Sequence, residues 1–507
     1  MNVTPIFQHH LPQSTSGSIK ELSTSAIYKL LQPCIVPAGS PHAKFSNWSR
    51  TFHCVPLIVF EPSDVEQCRL IFQLAHREQR TVRIVGEGLS PSDLACTSDF
   101  MLRTTRMNKL RVVDPEKQFV VCDGGIRLED LERELATHQL ALRNLGSISM
   151  QAMGGVITTA THGTGIEFKV LGDDVLSLSL LLADGTLVYC SRYENEDLFK
   201  ATLCGLGSTG LVVSVQIRVE PAFRLRESQE TRPFDEILDN LDDIVHQAQH
   251  VRLWWYPQNE SVRVCSADRT VESTPERPEA SSKSFITTFL THHLVEFFLF
   301  LARFWPLLAY YIARYVAWME SAPKVVVGES GSILRADCRF AQHTTEWAIP
   351  YEHAKACLLH LKEWLKTEPY SPNGTYPNFP IELRFSAPDD IWLSPAFGRR
   401  TCWIGIIQFK PYGLPVRYQE LFRRFEEIMT SFEGRPHWAK PHHLGPPQLR
   451  QLYPHFDDFV RVVERVDPMG MLRNENVRRH ILGERGPATD PNVFKLHKAP
   501  YNPALFP

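Results

Sequence analysis

Apolar and polar residues repeat along the first half of the chain with two different periods. Between 64 and 80 the apolar residues recur every three or four positions, which predicts a helix with Val65, Ile71 and Leu74 on its buried face. A second amphipathic helix is predicted at 128–138. Short β-rich runs predict strands at 81–85, 118–122, 175–182, 186–190 and 211–219. This mixture predicts an α+β fold for the first half.

The second half shows the same mixture after a break. Residues 221–232 are polar and lose periodicity, which predicts a domain boundary there. Strands are predicted at 251–256, 380–385 and 401–409, and helices at 351–365 and 418–432. Since 507 residues exceed what one core usually organises, two domains are expected. We predict a loosely attached extension over 1–50, domains over 51–222 and 223–480, and a tail over 481–507.

The segment 285–318 is unusually rich in Phe, Leu, Tyr and Trp. It is interrupted by His292, Glu296, Arg303, Pro306 and Arg314, so it contains no run of roughly 20 apolar residues of the kind that spans a bilayer. One or two helices packed within the second domain are expected. The alternative is a helical patch that lies on a membrane surface.

Composition excludes several classes of protein. Hydrophobic residues make up 43% and charged residues 22% of the chain, which is typical of a globular protein. The net charge of −3 gives no electrostatic footprint for nucleic acid. Eleven scattered cysteines, without a CxxC pair or zinc spacing, indicate reduced thiols, no metal site and no secretion.

Three glycine-rich segments carry the candidate chemistry. They read VGEGLSPSD over 85–93, GGVITTATHGTG over 154–165 and GLGSTGL over 205–211. Glycines after a strand let backbone N–H groups approach a diphosphate closely. Each segment alone is equally compatible with a tight turn or a packing loop. Three of them in one predicted domain indicate a large dinucleotide ligand.

Five stretches in the same order resemble one family. They are GEGLSPSD, NLGSISMQAMGGVITTATHGTG, LCGLGSTGLVVSV, FPIELRF and GRPHWAK, between residues 86 and 440. They resemble the sugar-1,4-lactone oxidases, and the sequence of the C-terminal half is most similar to the fungal branch. The resemblance implies an FAD domain of the vanillyl-alcohol-oxidase type, followed by an α+β substrate domain.

The resemblance also implies which residues hold the FAD. They are Gly86, Glu87, Gly88, Leu89, Ser90, Pro91, Ser92, Gly146, Ser147, Gly154, Gly155, Thr158, Thr161, His162, Gly163, Gly165, Gly210, Val212 and Lys440. Animal and yeast relatives carry a flavin-linking histidine where this chain has Leu89, as plant dehydrogenases do. Because leucine has no nucleophilic atom, we expect FAD to be bound non-covalently.

Catalytic residues are expected at Glu382, Arg384 and Lys440. On a strand, Glu382 and Arg384 point to the same face. From the residues alone, an ion pair on a sheet face would be the preferred explanation. The resemblance to the family's E-x-R pattern implies instead that the pair is part of the active site. The resemblance to HWAK makes Lys440 a neighbour of the flavin.

The implied reaction is oxidation of the C2 hydroxyl of an aldono-1,4-lactone, D-arabinono-1,4-lactone above all, to an ascorbate-type product. Oxygen is the expected acceptor, reduced to H₂O₂. The alternatives are a lactone dehydrogenase that uses cytochrome c, an alditol oxidase, or a flavin-binding protein without catalysis. A mitochondrial membrane-associated or cytoplasmic location is expected, with peripheral membrane contact through 285–318.

Overall fold

The computed structural model of the chain describes residues 21–273, 293–336, 340–367, 375–485 and 489–496. The strands of the first half are β1 (Phe45–Ser46), β2 (His53–Cys54), β3 (Ile58–Phe60), β4 (Val82–Val85), β5 (Phe100–Arg103), β6 (Leu110–Asp114), β7 (Phe119–Asp123), β8 (Leu140–Ala141), β9 (Val175–Leu181), β10 (Leu187–Ser191), β11 (Leu211–Arg218) and β12 (Glu220–Pro221). Its helices are α1 (Thr24–Leu31), α2 (Val65–Glu78), α3 (Leu128–Thr137), α4 (Met153–Thr158) and α5 (Glu196–Thr202).

Two main sheets organise this half. Strands β3, β5 and β4 form a parallel sheet in that order, and β10-β9-β11-β7-β6 form an antiparallel one. Asp64 caps α2 by accepting a hydrogen bond from Gln67 N, as its place before the apolar period predicts. The predicted helices and strands of this half agree with the structure to within two residues. The first glycine segment begins where β4 ends.

The second half is built on one eight-stranded antiparallel sheet, in the order β16-β13-β15-β14-β18-β19-β17-β20. The strands are β13 (Arg224–Pro233), β14 (His250–Tyr256), β15 (Ser261–Thr270), β16 (Lys324–Glu329), β17 (Gln342–Pro350), β18 (Ile381–Ser386), β19 (Thr401–Phe409) and β20 (Arg435–Pro436). The helices are α6 (Phe234–Asp239), α7 (Leu241–His246), α8 (Leu307–Met319), α9 (Ser330–Leu334), α10 (Ala354–Thr367), α11 (Gln419–Ser431), α12 (Pro446–Leu452), α13 (Phe456–Val466) and α14 (Glu475–His480).

The two halves share a hydrophobic core. One continuous cluster of buried side chains runs from Leu94 in the first half to Ile481 near the end of the second. It includes Trp255, Trp347 and Trp403 of the large sheet, each at most 1% exposed. The large sheet therefore packs against the first half through this shared core.

Two expectations about local structure, at residues 21–45 and 221–232, were wrong. Residues 21–45 are not loosely attached, because Ile27 and Leu31 of α1 are fully buried against α2. Residues 221–232 are not irregular but mostly strand β13, which begins just after the predicted division at 222/223 and is paired on both sides by β15 and β16. The sequence shows no sign of this strand, because its side chains are polar on both faces and do not alternate. Two ladders of backbone hydrogen bonds hold the strand in the sheet.

The expected tail also carries structure. Leu496 N donates to the carbonyl of Thr51 at 2.9 Å, and His53 N donates to that of Phe494 at 2.8 Å. Residues 494–496 therefore extend the edge at β2. Residues 486–488 and 497–507 of the tail lie outside the described ranges.

The aromatic segment forms two helices in its described part, 293–302 and α8. One face packs, since Leu299 and Ile312 are buried with Ile407 and Phe409 of β19. This confirms the expectation of packed helices for that face, while residues 285–292 lie outside the described part of the chain. Among the described residues, no helix has both the length and the apolar character needed to cross a membrane.

Candidate active site

A cavity lies between the glycine segments of the first half and the β17–β19 part of the large sheet. Most of the predicted site residues line it: Gly86, Glu87, Gly88, Leu89, Ser90, Pro91, Ser147, Gly154, Gly155, Thr158, Thr161, His162, Gly210, Val212, Glu382, Arg384 and Lys440. The predicted cofactor and catalytic residues therefore meet in one place, although they come from segments up to 354 positions apart, from Gly86 to Lys440.

Four predicted residues do not line this cavity. Ser92 accepts a hydrogen bond from Leu94 N and so caps a short helical turn. A Cβ on Gly146 would lie 2.8 Å from a methyl group of Thr161, and one on Gly163 would lie 2.1 Å from Asn144 Oδ1. Gly165 has a φ of +106° against the carbonyl of Gln249. These residues shape the loops behind the cavity wall.

The first glycine loop is held by close packing and by one ion pair. A Cβ on Gly86 would lie 2.8 Å from Cβ of Ala152, and Gly88 has a φ of +67°, where L side chains are strained. Glu87 accepts two hydrogen bonds from the Arg127 guanidinium, at 2.8 and 3.1 Å. This bidentate pair fixes the loop in the conformation that presents Leu89 to the cavity.

The first-half wall fits a dinucleotide. Nothing lies within 4 Å of where a Cβ on Gly155 would be, so a ligand can approach the backbone there directly. Arg83, only 7% exposed, also lines the cavity, and its Nε has no hydrogen-bond partner among the described residues. Burial lowers the pKa of Arg83 to about 10, so the side chain stays cationic at neutral pH. A diphosphate would satisfy both the open backbone and this buried charge.

The second-half wall is one face of three neighbouring strands. Gly405 of β19 is opposite Glu346 of β17 on one side and opposite Glu382 of β18 on the other. Arg384, two residues after Glu382, points to the same face. Because Gly405 has no side chain, the sheet face between the two carboxylates is left free of side-chain atoms at this position.

Glu346 is the centre of the charged cluster. One carboxylate oxygen accepts from Arg384 Nη2 at 2.7 Å and the other from Lys440 Nζ at 2.6 Å. His162 Nε2 lies 3.1 Å from the same oxygen that Arg384 contacts. Burial alone would raise the pKa of Glu346, but Lys440, Arg384 and His162 together hold it well below its ordinary value. Glu346 is therefore ionised at neutral pH.

His162 is a buried partner of this cluster. Its ring stacks on Trp403, with centroids 3.7 Å apart and planes 12° from parallel. Burial, and then the charge of Arg384, lower its pKa to about 4, so the imidazole is neutral at pH 7. A neutral ring can donate one hydrogen bond to the carboxylate of Glu346 without adding charge.

The cluster keeps one surplus positive charge. Arg384, Lys440 and Arg252, whose Nε lies 3.8 Å from Glu382, face the two carboxylates Glu346 and Glu382. Oε1 of Glu382 has no hydrogen-bond partner among the described residues, although the side chain lines the cavity. The site therefore offers the Glu382 carboxylate and net positive charge to a polar or anionic ligand.

The nearby side chains of His162, Glu346 and His437 also have the spacing of a metal triad, with ligand atoms within 4.8 Å of one another. Glu346 already has an ion pair on each of its oxygens. A divalent cation would face Arg384 and Lys440 at close range, so the charges of the cluster fit an anionic or polar organic ligand better.

Three residues of the site were missed by sequence reasoning: Arg83, Arg252 and Glu346. No alternating pattern marked Glu346, because residues 342–346 are all polar. Arg83 lies on a buried strand directly before the glycine loop, which is an unusual place for an arginine. Arg252 gave no signal, since only the pairing of β14 with β18 brings it opposite Arg384.

Comparisons with known families agree with this arrangement. A model described as an FAD binding domain matches residues 56–191, and one described as D-arabinono-1,4-lactone oxidase matches residues 215–480. A solved cholesterol oxidase from B. sterolicum superimposes with a TM-score of 0.70 at 17% identity, covering 89% of this chain and 99% of that one. That likeness concerns the fold alone; together with the FAD-binding model it confirms the predicted FAD-binding domain followed by an α+β domain.

Three curated relatives cover most of the chain. L-gulonolactone oxidase of Bos taurus is 38% identical over 86% of this chain and 98% of its own. L-gulono-1,4-lactone dehydrogenase of Mycobacterium tuberculosis is 31% identical over 87% and 99%. D-arabinono-1,4-lactone oxidase of Eremothecium gossypii is 29% identical over 78% and 83%. The animal relative is thus more similar than this fungal one, and the expected likeness to the fungal branch is not confirmed.

Fold and site together define an FAD-dependent oxidoreductase. Within that class, the chain belongs to the sugar-1,4-lactone oxidase family, and its substrates are sugar lactones.

The position of Leu89 leads to a prediction about the flavin. Leu89 lines the cavity, and none of the ten described cysteines does. Acid precipitation of the yellow protein should therefore release its FAD into the supernatant, measured by absorbance. Flavin that remains with the precipitated chain would contradict this. Mass spectrometry of the flavin peptide would then show whether His162 or His437, which both line the cavity, carries it.

Proposed function

We propose that this chain oxidises the C2 hydroxyl of an aldono-1,4-lactone, with D-arabinono-1,4-lactone as a substrate and oxygen as the acceptor. The observation that carries the proposal is the charged face around Gly405. It combines the carboxylate of Glu382 with the cations Arg384 and Lys440 on one wall of the cavity. A mere flavin-binding module has no need of that combination.

The side chains divide the work of the reaction. Oxidation of a secondary alcohol removes a proton from the hydroxyl and a hydride from the carbon. The carboxylate of Glu382, which lines the cavity, can accept the hydroxyl hydrogen. The two-electron chemistry is that of bound FAD, with O₂ reduced to H₂O₂ as the final acceptor.

Arg384 and Lys440 supply the electrostatics. Negative charge develops in the cavity as the hydride leaves the lactone. The surplus positive charge of the cluster stabilises this negative charge. At 4 Å and an effective dielectric of about 20, one such cation contributes on the order of 4 kcal/mol of attraction. Glu346 holds both cations in place through its two oxygens.

The substrate class is tested by comparing lactones with open-chain alditols. A five-membered lactone fixes its C2 hydroxyl, whereas an alditol loses roughly 0.5–1.5 kcal/mol for each flexible group it immobilises. We expect kcat/KM for D-arabinono-, L-gulono- or L-galactono-1,4-lactone to exceed that for xylitol or sorbitol at least about tenfold. One enzyme batch with oxygen as acceptor removes differences in flavin content. Equal or better turnover of alditols would overturn the lactone assignment.

The electron acceptor is tested on the same protein. A relative named as a dehydrogenase keeps an acceptor other than oxygen open. Cytochrome c is the alternative acceptor that we test. After reduction by lactone under nitrogen, the flavin should regain its colour rapidly on mixing with air and release H₂O₂. Slow reoxidation by air together with fast reoxidation by cytochrome c would show that the protein is a dehydrogenase and not an oxidase.

A further inference from the structure

His437 follows the short strand β20 and forms part of the wall of the active-site cavity. The residue is 4% exposed. Its backbone N donates to the carbonyl of Glu346 at 2.9 Å, so the two residues lie side by side on neighbouring strands. A buried imidazole carries one donor and one acceptor nitrogen, and both need a partner.

One ring nitrogen of His437 is occupied by its own loop. Ala439 N donates to Nδ1 at 3.2 Å, and a backbone N–H is met only by a nitrogen that carries no proton. Nδ1 is therefore the acceptor, and the proton of the neutral ring is on Nε2. Burial, and then the charge of Lys440, hold the pKa of His437 well below its ordinary value, so the ring is neutral at pH 7.

Nε2 is left as a donor that needs an acceptor. Within the described part of the chain, the contact from Ala439 N is the one hydrogen bond that this ring makes. The nearby carboxylate of Glu346 already accepts from Arg384 and Lys440. Because a buried N–H without an acceptor is costly, Nε2 indicates a ligand group that accepts a hydrogen bond without carrying charge, such as a carbonyl oxygen.

The register of the large sheet shows which carbonyl is within reach. One row of residues crosses four neighbouring strands, in the order Glu382 of β18, Gly405 of β19, Glu346 of β17 and His437 directly after β20. Three strand spacings, roughly 14 Å between backbones, separate Glu382 from His437. In a lactone the C2 hydroxyl and the carbonyl lie on adjacent carbon atoms. A lactone whose hydroxyl is at Glu382 therefore does not bring its carbonyl to His437.

A flavin suits this row better. Its three fused rings are long enough to lie along several strands, and the pyrimidine ring at one end carries two carbonyl oxygens. Lys440 lines the same part of the cavity, and its backbone N donates to the carbonyl of His437 at 2.9 Å, so one turn carries both side chains. A neutral donor and a cation beside the pyrimidine ring both stabilise the electron-rich, reduced flavin.

We propose that Nε2–H of His437 donates a hydrogen bond to a carbonyl oxygen of the flavin's pyrimidine ring, and that this contact raises the reduction potential of the bound flavin. His437 is then a cofactor-binding residue. The proposal depends on bound FAD and not on the identity of the substrate, so it and the proposed function can fail separately. Only the exclusion of the lactone carbonyl uses the proposed role of Glu382.

Two substitutions separate the donor of this ring from its acceptor. An asparagine can keep the acceptor for Ala439 N, but its side chain is too short to place a donor where Nε2 lies. A glutamine can place its amide N–H near the position of Nε2, but it gives up the contact to Ala439. If the donor matters, His437→Gln should resemble wild type and His437→Asn should not. If only the loop contact matters, the order is reversed.

Vibrational spectroscopy of the FAD-loaded full chain, without substrate, observes the flavin carbonyls directly. In His437→Asn, a carbonyl stretching band of the oxidised flavin should move to higher frequency because it loses a hydrogen bond. The midpoint potential should fall by about 30 mV, which corresponds to about tenfold in a two-electron equilibrium. That is the scale of one hydrogen bond that strengthens when its acceptor gains negative charge.

His443→Asn is the matched control. It makes the same change a few residues further along, at a side chain that is 55% exposed and does not line the cavity. Its carbonyl band and its midpoint potential should equal those of wild type. Loss of FAD from His437→Asn with retention in His437→Gln would agree with the proposal, since it too depends on the donor.

Three results would overturn the proposal. The first is an unchanged flavin carbonyl band in His437→Asn, and a raised KM for lactone in that variant would then assign the donor to the substrate. The second is a wild-type band and potential in His437→Asn with altered values in His437→Gln, which would reduce the ring to a loop contact. The third is loss of FAD from both variants, which would show that the ring only shapes the cavity wall.

Discussion

Replacing Arg384 by alanine should slow the reduction of the flavin by lactone at least about 100-fold, the scale of losing one electrostatic partner of a transition state. The fold and bound FAD should remain. Glu346 keeps Lys440 at 2.6 Å, and Glu382 keeps Arg252 at 3.8 Å, so neither carboxylate is left buried without a cation. Stopped-flow mixing with lactone under nitrogen measures the rate.

Two further readouts separate an electrostatic role of Arg384 from a merely structural one. Without this cation the surplus positive charge of the cluster disappears, so the midpoint potential of the bound flavin should fall. Arg384→Lys should recover part of the rate, because it restores the charge but not the paired contacts to Glu346 and Ser147. A near-normal rate in Arg384→Ala would show that the arginine only completes an ion pair.

Replacing Glu346 by glutamine should cost about 3–5 kcal/mol of stability, the usual effect of removing one member of a buried ion pair. Lys440 would lose the carboxylate it contacts at 2.6 Å, and Arg384 would lose the closer of its two. Calorimetry should show a fall of several degrees in Tm. Because the cluster becomes more positive, the flavin potential should rise, opposite to the change in Arg384→Ala.

The effect of Glu346→Gln should depend on pH with a definite sign. The folded-state pKa of Glu346 is held well below its ordinary value. Its ion pairs therefore stabilise the fold fully above about pH 4.3, the pKa of an unperturbed glutamate, and this is lost as the pH falls towards the lowered pKa. The difference in Tm from wild type should narrow below that pH.

Glu426→Gln is the matched control for Glu346→Gln. Glu426 is also buried, but it contacts Thr345 and His443, and it does not line the active-site cavity. It should leave the flavin potential unchanged. A shift of similar size in both variants would show that any buried glutamate near β17 produces the effect.

Sequence reasoning succeeded where a local pattern fixes the structure. The apolar period of 64–80 predicted α2, and the nearly continuous apolar run in 401–409 predicted β19 to the residue. It failed for β13, whose polar residues on both faces leave no period to detect. It failed also for residues 21–45, because burial of Ile27 and Leu31 depends on α2, which follows more than thirty positions later.

The sequence alone determined the glycine segments, the E-x-R pair on one strand face and the leucine at position 89. These are local properties, since glycine permits close approach, a strand alternates its side chains, and leucine has no nucleophilic atom. Only the tertiary structure decided that Glu346 joins Arg384 to Lys440, and that Gly405 leaves the floor open between two carboxylates. Those contacts depend on strand order and register in the large sheet, which hydrogen bonding between distant segments sets and no local pattern encodes.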